Sequence, residues 1–188
     1  CIAALTVALL GTAALAGAGE KSHHHDAPAA SQETQSSQGH GGHGDHGDMN
    51  PAVGEKGDPA NARRTLRVTM TDNKYEPKSI AVQAGETVRF TVENKGEFVH
   101  EFNIGTAEMH KNHQAEMMKM MQSGALESDH IVHAKMGAMM HDDANAVLLE
   151  PGQTGEIIWK FGASGEIQFA CNVPGHYDDG MHGRLNVR

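Results

Sequence analysis

Hydrophobic and polar residues alternate along much of the chain from residue 64 onward. In the first such stretch, Leu66, Val68 and Met70 alternate with Arg67 and Thr69, which is the period of a strand with one buried face. Similar short apolar segments, separated by turn residues, follow at 80–82, 87–92, 98–104, 156–161, 167–171 and 183–188. Seven or so short strands predict an all-β fold, a Greek-key β-sandwich whose core suffices for one domain.

The start of the chain has a different pattern, since residues 2–19 are almost all small or apolar. Small residues end the run, which is typical of the hydrophobic region and cleavage site of a secretory signal peptide. We therefore expect residues 1–18 to be an N-terminally incomplete signal peptide and the protein to be periplasmic. The alternative is an uncleaved membrane anchor, because the run is just long enough to span a bilayer.

Residues 19–61 are rich in Gly, Ser, Gln, Ala and His and have few large apolar residues. Such a segment cannot bury enough surface to offset the entropy of ordering, so we expect a disordered leader before a folded domain at 62–188. His40, His43 and His46 cluster with aspartates in the leader, and such tracts can bind Cu(II), Zn(II) or Ni(II). The alternative is an inert, solvated leader.

Two residues with metal-binding side chains lie within the apolar rows of the predicted strands. His100 has the same strand parity as Phe102, whereas Glu101 points to the opposite face. Cys171 has the same parity as Phe169 at the end of a later strand. Both metal-binding side chains are therefore expected to be directed toward the core.

The segment that follows Cys171 contains two more such side chains at regular spacing. Cys171, His176 and Met181 are five residues apart in the sequence CNVPGHYDDGM, and its proline–glycine pair favours a turn before the histidine. With His100, they supply two imidazoles, one thiolate and one thioether. This is the ligand set of a blue-copper electron-transfer site, which suits both Cu(I) and Cu(II).

The alternatives to copper are a zinc site and an inert cysteine. Zinc also accepts Cys and His, but a structural zinc site usually has more thiolates and does not need a methionine. An inert buried Cys171 would leave the regular spacing of His176 and Met181 unexplained. After signal cleavage Cys171 would be the only cysteine, so an internal disulfide is not available to it. Copper is therefore the expected cofactor.

These motifs resemble those of the cupredoxin family, of the plastocyanin and azurin type. The resemblance is carried by FVHEFNIG at 98–105 and CNVPGHYDDGMHG at 171–183, followed by an alternating terminal strand. It covers roughly residues 64–105 and 146–188. It implies an eight-stranded Greek-key sandwich with the metal near one end, and copper ligands at His100, Cys171, His176 and Met181.

Residues 106–145 are not part of a minimal cupredoxin and form a Met/His-rich insertion. Between Met109 and His141 there are eight Met and five His, but only single Leu, Ile and Val residues. Periodicity predicts a helix over 111–122, with a second methionine cluster beyond it. The candidate auxiliary copper ligands of the insertion are His113, Met117, Met120, Met121, His133, Met136, Met139, Met140 and His141.

The methionines of the insertion have more than one interpretation. A methionine stripe on an amphipathic helix usually packs into a core. Leucine would serve such packing equally well, however, and thioether clusters match the softness of Cu(I). Binding of additional copper, contact with a copper-handling partner, a lid over the site and simple packing are all open.

The insertion and the His-rich leader make the chain similar to periplasmic cupredoxins linked to bacterial copper tolerance. This similarity implies a type 1 copper protein that cycles between Cu(I) and Cu(II) for one-electron transfer and contributes to copper tolerance. The expected partner is a redox protein or a copper-handling protein. The alternative function is that of a simple mobile electron carrier between redox complexes.

An enzyme is not expected. Copper oxidases and nitrite reductases need a second copper centre, commonly connected through a histidine on each side of the cysteine, whereas Cys171 lies between Ala170 and Asn172. Slow oxidation of Cu(I) stays an open alternative. The net charge of −9 argues against nucleic acid and anionic membrane surfaces as partners, and no stable membrane association is expected after signal cleavage.

Overall fold

Ten strands form two five-stranded sheets in the computed structural model, which describes residues 50–137, 143–163 and 165–188. The strands are β1 Gly54–Lys56, β2 Arg64–Thr71, β3 Lys74–Glu76, β4 Ser79–Val82, β5 Thr87–Asn94, β6 His100–Gly105, β7 Ala146–Leu149, β8 Thr154–Phe161, β9 Glu166–Ala170 and β10 His182–Val187. One sheet has the strand order β1-β8-β5-β2-β3, and the other has the order β4-β10-β9-β6-β7.

The chain passes repeatedly from one sheet to the other. The pairs β2–β5 and β4–β10 are parallel, and the remaining strand pairs in the two sheets are antiparallel. Neighbouring strands in each sheet are therefore often distant in sequence, as in a Greek-key sandwich. The predicted all-β sandwich is confirmed. The strands β1, β3 and β7 were not predicted. They have only three or four residues, too few for a clear period of two.

One hydrophobic core lies between the sheets. In β5 the burial alternates along the strand, and Val88, Phe90 and Val92 are fully buried as the period of two predicts. Phe102 of β6 packs against Phe90 and Phe169 with ring centroids 5.5 and 5.4 Å apart. The core thus fixes β6, which begins at His100, and β9, which ends directly before Cys171.

The folded domain begins earlier than residue 62, so the prediction of a disordered leader is wrong for residues 50–61. β1 pairs with β8, Val53 is buried, and the Trp159 indole donates to the Val53 carbonyl over 3.1 Å. Val53 is a lone large apolar residue among polar ones, which is why the composition of this segment does not indicate a strand. Residues 1–49, with the predicted signal peptide, His40, His43 and His46, lie outside the described residues.

The described part of the insertion contains two helices between β6 and β7, α1 Ala107–Gln122 and α2 His133–Met136. The helix α1 begins four residues before the predicted start, because Thr106 caps it and accepts a hydrogen bond from the Met109 amide over 3.2 Å. Every residue of β6 is buried, including those on the face predicted to point away from the core. No helix among the described residues is long and apolar enough to span a bilayer.

Candidate metal centre

Three of the four predicted ligands converge where β6 begins and β9 ends. His100 is the first residue of β6, Cys171 follows β9, and His176 lies in the loop that leads to β10. The Nδ1 atoms of His100 and His176 are 3.2 Å apart. The Cys171 Sγ is 3.3 Å from Nδ1 of His176 and 3.9 Å from Nδ1 of His100. All three donor atoms lie within 4.8 Å of one another, so one ion can contact all of them.

The fourth predicted ligand, Met181, ends the same loop and is fully buried. Its amide donates to the His176 carbonyl over 2.9 Å, and its carbonyl accepts from the Cys171 amide over 3.1 Å. Gly180 has a φ of 92°, a left-handed conformation that favours glycine and allows the chain to turn into Met181. The backbone of the loop therefore holds Met181 directly beside Cys171 and His176.

The two imidazoles differ in exposure and are both suited to metal binding. His100 is fully buried and its Nε2 lies 3.0 Å from Oδ1 of Asp72, so a proton on Nε2 leaves Nδ1 free as a ligand atom. Burial lowers the pKa of His100 although Asp72 opposes the shift. Burial, with the charge of the neighbouring His100, lowers the pKa of His176 as well. Neutral imidazoles are the form that binds a metal.

Cys171 is fully buried, and burial raises the pKa of its thiol to about 12. The Glu101 amide donates to the Cys171 Sγ over 3.3 Å, which stabilises negative charge on the sulfur. A coordinating thiol is deprotonated by the metal itself. One thiolate, two imidazole nitrogens and a neighbouring buried thioether form a donor set that fits copper.

Replacing Asp72 with alanine is expected to weaken copper binding by about 10–100-fold, as is typical when the hydrogen-bond partner of a metal-binding histidine is lost. Asp129→Ala is the matched control, because Asp129 pairs with the exposed His130, which is not one of the converging donors. Competition with a chromophoric copper chelator measures both affinities. An affinity of Asp72→Ala equal to that of the control would show that Asp72 does not position His100.

A buried carboxylate beside the centre is a feature that sequence reasoning missed. Glu101 is 3% exposed, and its Oε1 lies 2.8 Å from Nε2 of His113 on α1. Its Oε2 accepts from Nδ2 and the amide of Asn172 over 2.7 and 3.2 Å. Because Asn172 directly follows Cys171, Glu101 connects the insertion to the cysteine loop. The only signal in the sequence is that Glu101 lies opposite the core-facing row of β6.

The protonation state of His113 depends on the Glu101 carboxylate. Burial alone would lower the pKa of His113, but the charge of Glu101, with the hydrogen bonds that His113 donates to Glu101 and Glu116, raises it to about 9. The Nδ1 of His113 is 2.9 Å from Glu116, whose side chain is 41% exposed. His113 is therefore an imidazolium at neutral pH, held between one buried and one exposed carboxylate.

The predicted auxiliary ligands of the insertion are only partly brought together. His113, Met117, Met120 and Met136 line one cavity. Met121 is half-buried outside this lining, and His133 is exposed. Met139, Met140 and His141 lie outside the described residues.

Comparison with known proteins relates this chain to the cupredoxin-like domain and to copper-resistance proteins. Residues 50–128 match the family model of the cupredoxin-like domain. The chain is 43% identical over 150 residues to the copper-resistant cuproprotein CopI of Pseudomonas aeruginosa, with 73% of this chain and 83% of that protein covered. It is 40% identical over 136 residues to the copper-resistant cuproprotein CopI of Rubrivivax gelatinosus, with 72% and 73% covered.

Solved structures of low sequence identity share the fold. Auracyanin B has a TM-score of 0.52 and 21% identity, with 72% of this chain and 96% of that chain covered. Dithionite-reduced auracyanin from Roseiflexus castenholzii has a TM-score of 0.51 and 23% identity, with 68% and 98% covered. The chain belongs to the cupredoxin family and, within it, to the family of the copper-resistant cuproprotein CopI.

Proposed function

We propose that this protein is a periplasmic type 1 copper protein that passes single electrons and contributes to copper tolerance. The observation that carries the proposal is the convergence of Cys171 Sγ with Nδ1 of His100 and of His176, beside the buried Met181. Bound copper would supply the one-electron couple between Cu(I) and Cu(II). The protein has to present the same ligands in both oxidation states.

The sandwich supports such a role by holding the ligands in place before and after electron transfer. His100 is fixed by β6 and Asp72, and the loop from Cys171 to Met181 is closed by its own backbone hydrogen bonds. A site that is held in this way needs little reorganisation when its charge changes, because the polar groups are already oriented.

The exposed edge of the centre supports contact with a redox partner. His176 is only partly buried, and Phe98, whose side chain is 42% exposed, lies beside it with ring centroids 6.5 Å apart. A redox partner would contact the centre at this edge, because His176 is the one predicted ligand that is not fully buried. This surface would also serve a simple mobile electron carrier, which is the second candidate function.

Copper tolerance is favoured over the simple carrier by two observations. The curated relatives cited above are named copper-resistant cuproproteins. The insertion also places three buried methionines at one cavity, which electron transfer alone does not require. We propose a redox or copper-handling protein as the partner, with no enzymatic role, nucleic-acid binding or stable membrane association.

Deletion of the gene is expected to make the parent strain sensitive to copper without a respiratory defect at low copper. Genes for the wild type and His182→Gln are expected to restore growth in copper, whereas Cys171→Ser is not, because serine cannot supply the thiolate. His182 is a suitable control because it follows Met181 and stacks on Tyr177. Unchanged copper tolerance with a respiratory defect would contradict the proposal and favour the electron carrier.

A further inference from the structure

A cavity of about 70 Å³ lies at the insertion, outside the centre described above. Met117 and Met120 of α1 and Met136 of α2 line it, together with the carboxylate residues Glu101 and Asp143. We propose that this cavity is a second metal site, which binds one Cu(I) ion through the thioethers of the three methionines.

The chain brings the three methionines together from two separate elements. Met117 and Met120 are three residues apart and therefore share one face of α1. Met136 is carried back to this face by the turn after α1, where Leu126 pairs with Ile131. The methionines are 2%, 2% and 8% exposed, so their thioethers are withdrawn from bulk water.

Packing alone does not explain this arrangement. Methionines that only filled a core would leave no space beside them, because protein interiors have few voids larger than a water molecule. These three methionines instead contribute to the lining of a partly open cavity of about 70 Å³. Methionine is flexible enough to close around an ion, and its soft sulfur favours Cu(I) over Zn(II) or Cu(II).

The ionisable groups around the cavity favour a cation. Glu101 and Asp143 contribute to the lining, and Glu116 is paired with His113 at its edge. Among the described residues of the lining, two acidic residues, Glu101 and Asp143, accompany one histidine, His113. A cation is therefore attracted to the cavity, whereas a neutral guest would gain nothing from these charges.

One residue, Glu101, contacts both the second site and the type 1 centre. The Glu101 side chain contributes to the cavity lining, while its amide donates to the Cys171 Sγ over 3.3 Å. The identity of the ion as copper depends on the proposed role in copper handling. The type 1 ligands His100, Cys171, His176 and Met181 do not line this cavity, so the two sites can be tested separately.

An anaerobic titration with Cu(I) against a chromophoric Cu(I) chelator tests the second site. The triple variant Met117→Leu, Met120→Leu, Met136→Leu keeps similar side-chain volumes and is expected to bind one Cu(I) fewer than the wild type. The control is Met118→Leu with Met121→Leu, two methionines of α1 that do not line the cavity. It is expected to keep the wild-type stoichiometry.

A measurement on the wild type does not depend on how well the variants fold. Ag(I), a redox-inert stand-in for Cu(I), is expected to shift the ¹³C-methyl resonances of Met117, Met120 and Met136 together at one equivalent. Equal Cu(I) stoichiometry in the triple variant, or methyl resonances unmoved by Ag(I), would overturn the second site. The Cu(II) absorption band of the type 1 centre reports separately on the proposed function, and its absence from the wild type would contradict that function alone.

Discussion

Glu101→Gln is expected to lower the free energy of unfolding of the metal-free protein by about 3 kcal/mol. This is the lower end of the range for removing one partner of a buried ion pair. The substitution removes the buried counter-charge of His113, whose side chain is only 12% exposed. It also weakens the hydrogen bonds that Asn172 donates to the Glu101 carboxylate. Urea denaturation of the two metal-free proteins at pH 6 measures the difference.

Glu116→Gln is the matched control, because Glu116 pairs with the same histidine from an exposed position. Its expected cost is below about 1 kcal/mol, as for most exposed ion pairs. Equal losses in the two variants would show that the buried pair adds nothing beyond a surface contact.

The pH dependence distinguishes loss of the ion pair from loss of packing. The pKa of His113 is about 9 in the folded protein and near 6.5 in the unfolded chain, so the folded state binds the proton more tightly. The stabilisation from this proton is fully present below pH 6.5 and is lost as the pH rises through about 9. We expect the wild type to lose stability over this interval and Glu101→Gln to lose much less, because only Glu116 then favours the imidazolium.

The centre could be predicted in large part because its signals are local. Cys171, His176 and Met181 lie on one loop, and the period of two placed His100 in a core-facing row. The structure brings the cysteine and both histidines within reach of one ion. The long strands could be predicted equally well, because alternation over eight residues, as in β2 and β5, is a clear pattern.

Features that depend on contacts between distant segments could not be predicted in this way. Glu101 has the alternation of an outward-facing strand residue, and only the packing of α1 over β6 shows that it is buried beside His113. The strand predicted over 98–104 would place Phe98 on the same face as His100. Phe98 is exposed beside His176, because β6 begins only at His100.

The methionines show the same limit. Their spacing predicts a helix and one apolar face, but it does not show which of them meet. The position of α2 decides that Met136 joins Met117 and Met120 at the cavity, while Met121 does not. Composition therefore left the role of the insertion open, and tertiary structure was needed to define a candidate site within it.

Cys171→Ser is expected to have the largest effect on copper chemistry, because it removes the only thiol among the described residues. A serine hydroxyl is a hard ligand and cannot give the thiolate-to-copper absorption of a type 1 centre. His182→Gln is the control, since His182 neighbours Met181 but is not one of the converging donors.

Titration of the metal-free protein with Cu(II), followed by visible absorption and electron paramagnetic resonance, tests the central claim most directly. In the wild type and His182→Gln, we expect an intense thiolate-to-copper band that saturates at one copper per chain. In Cys171→Ser, we expect no such band, whatever copper binds elsewhere. A wild type without the band, or copper binding that is identical in Cys171→Ser, would contradict a type 1 copper centre at His100, Cys171, His176 and Met181.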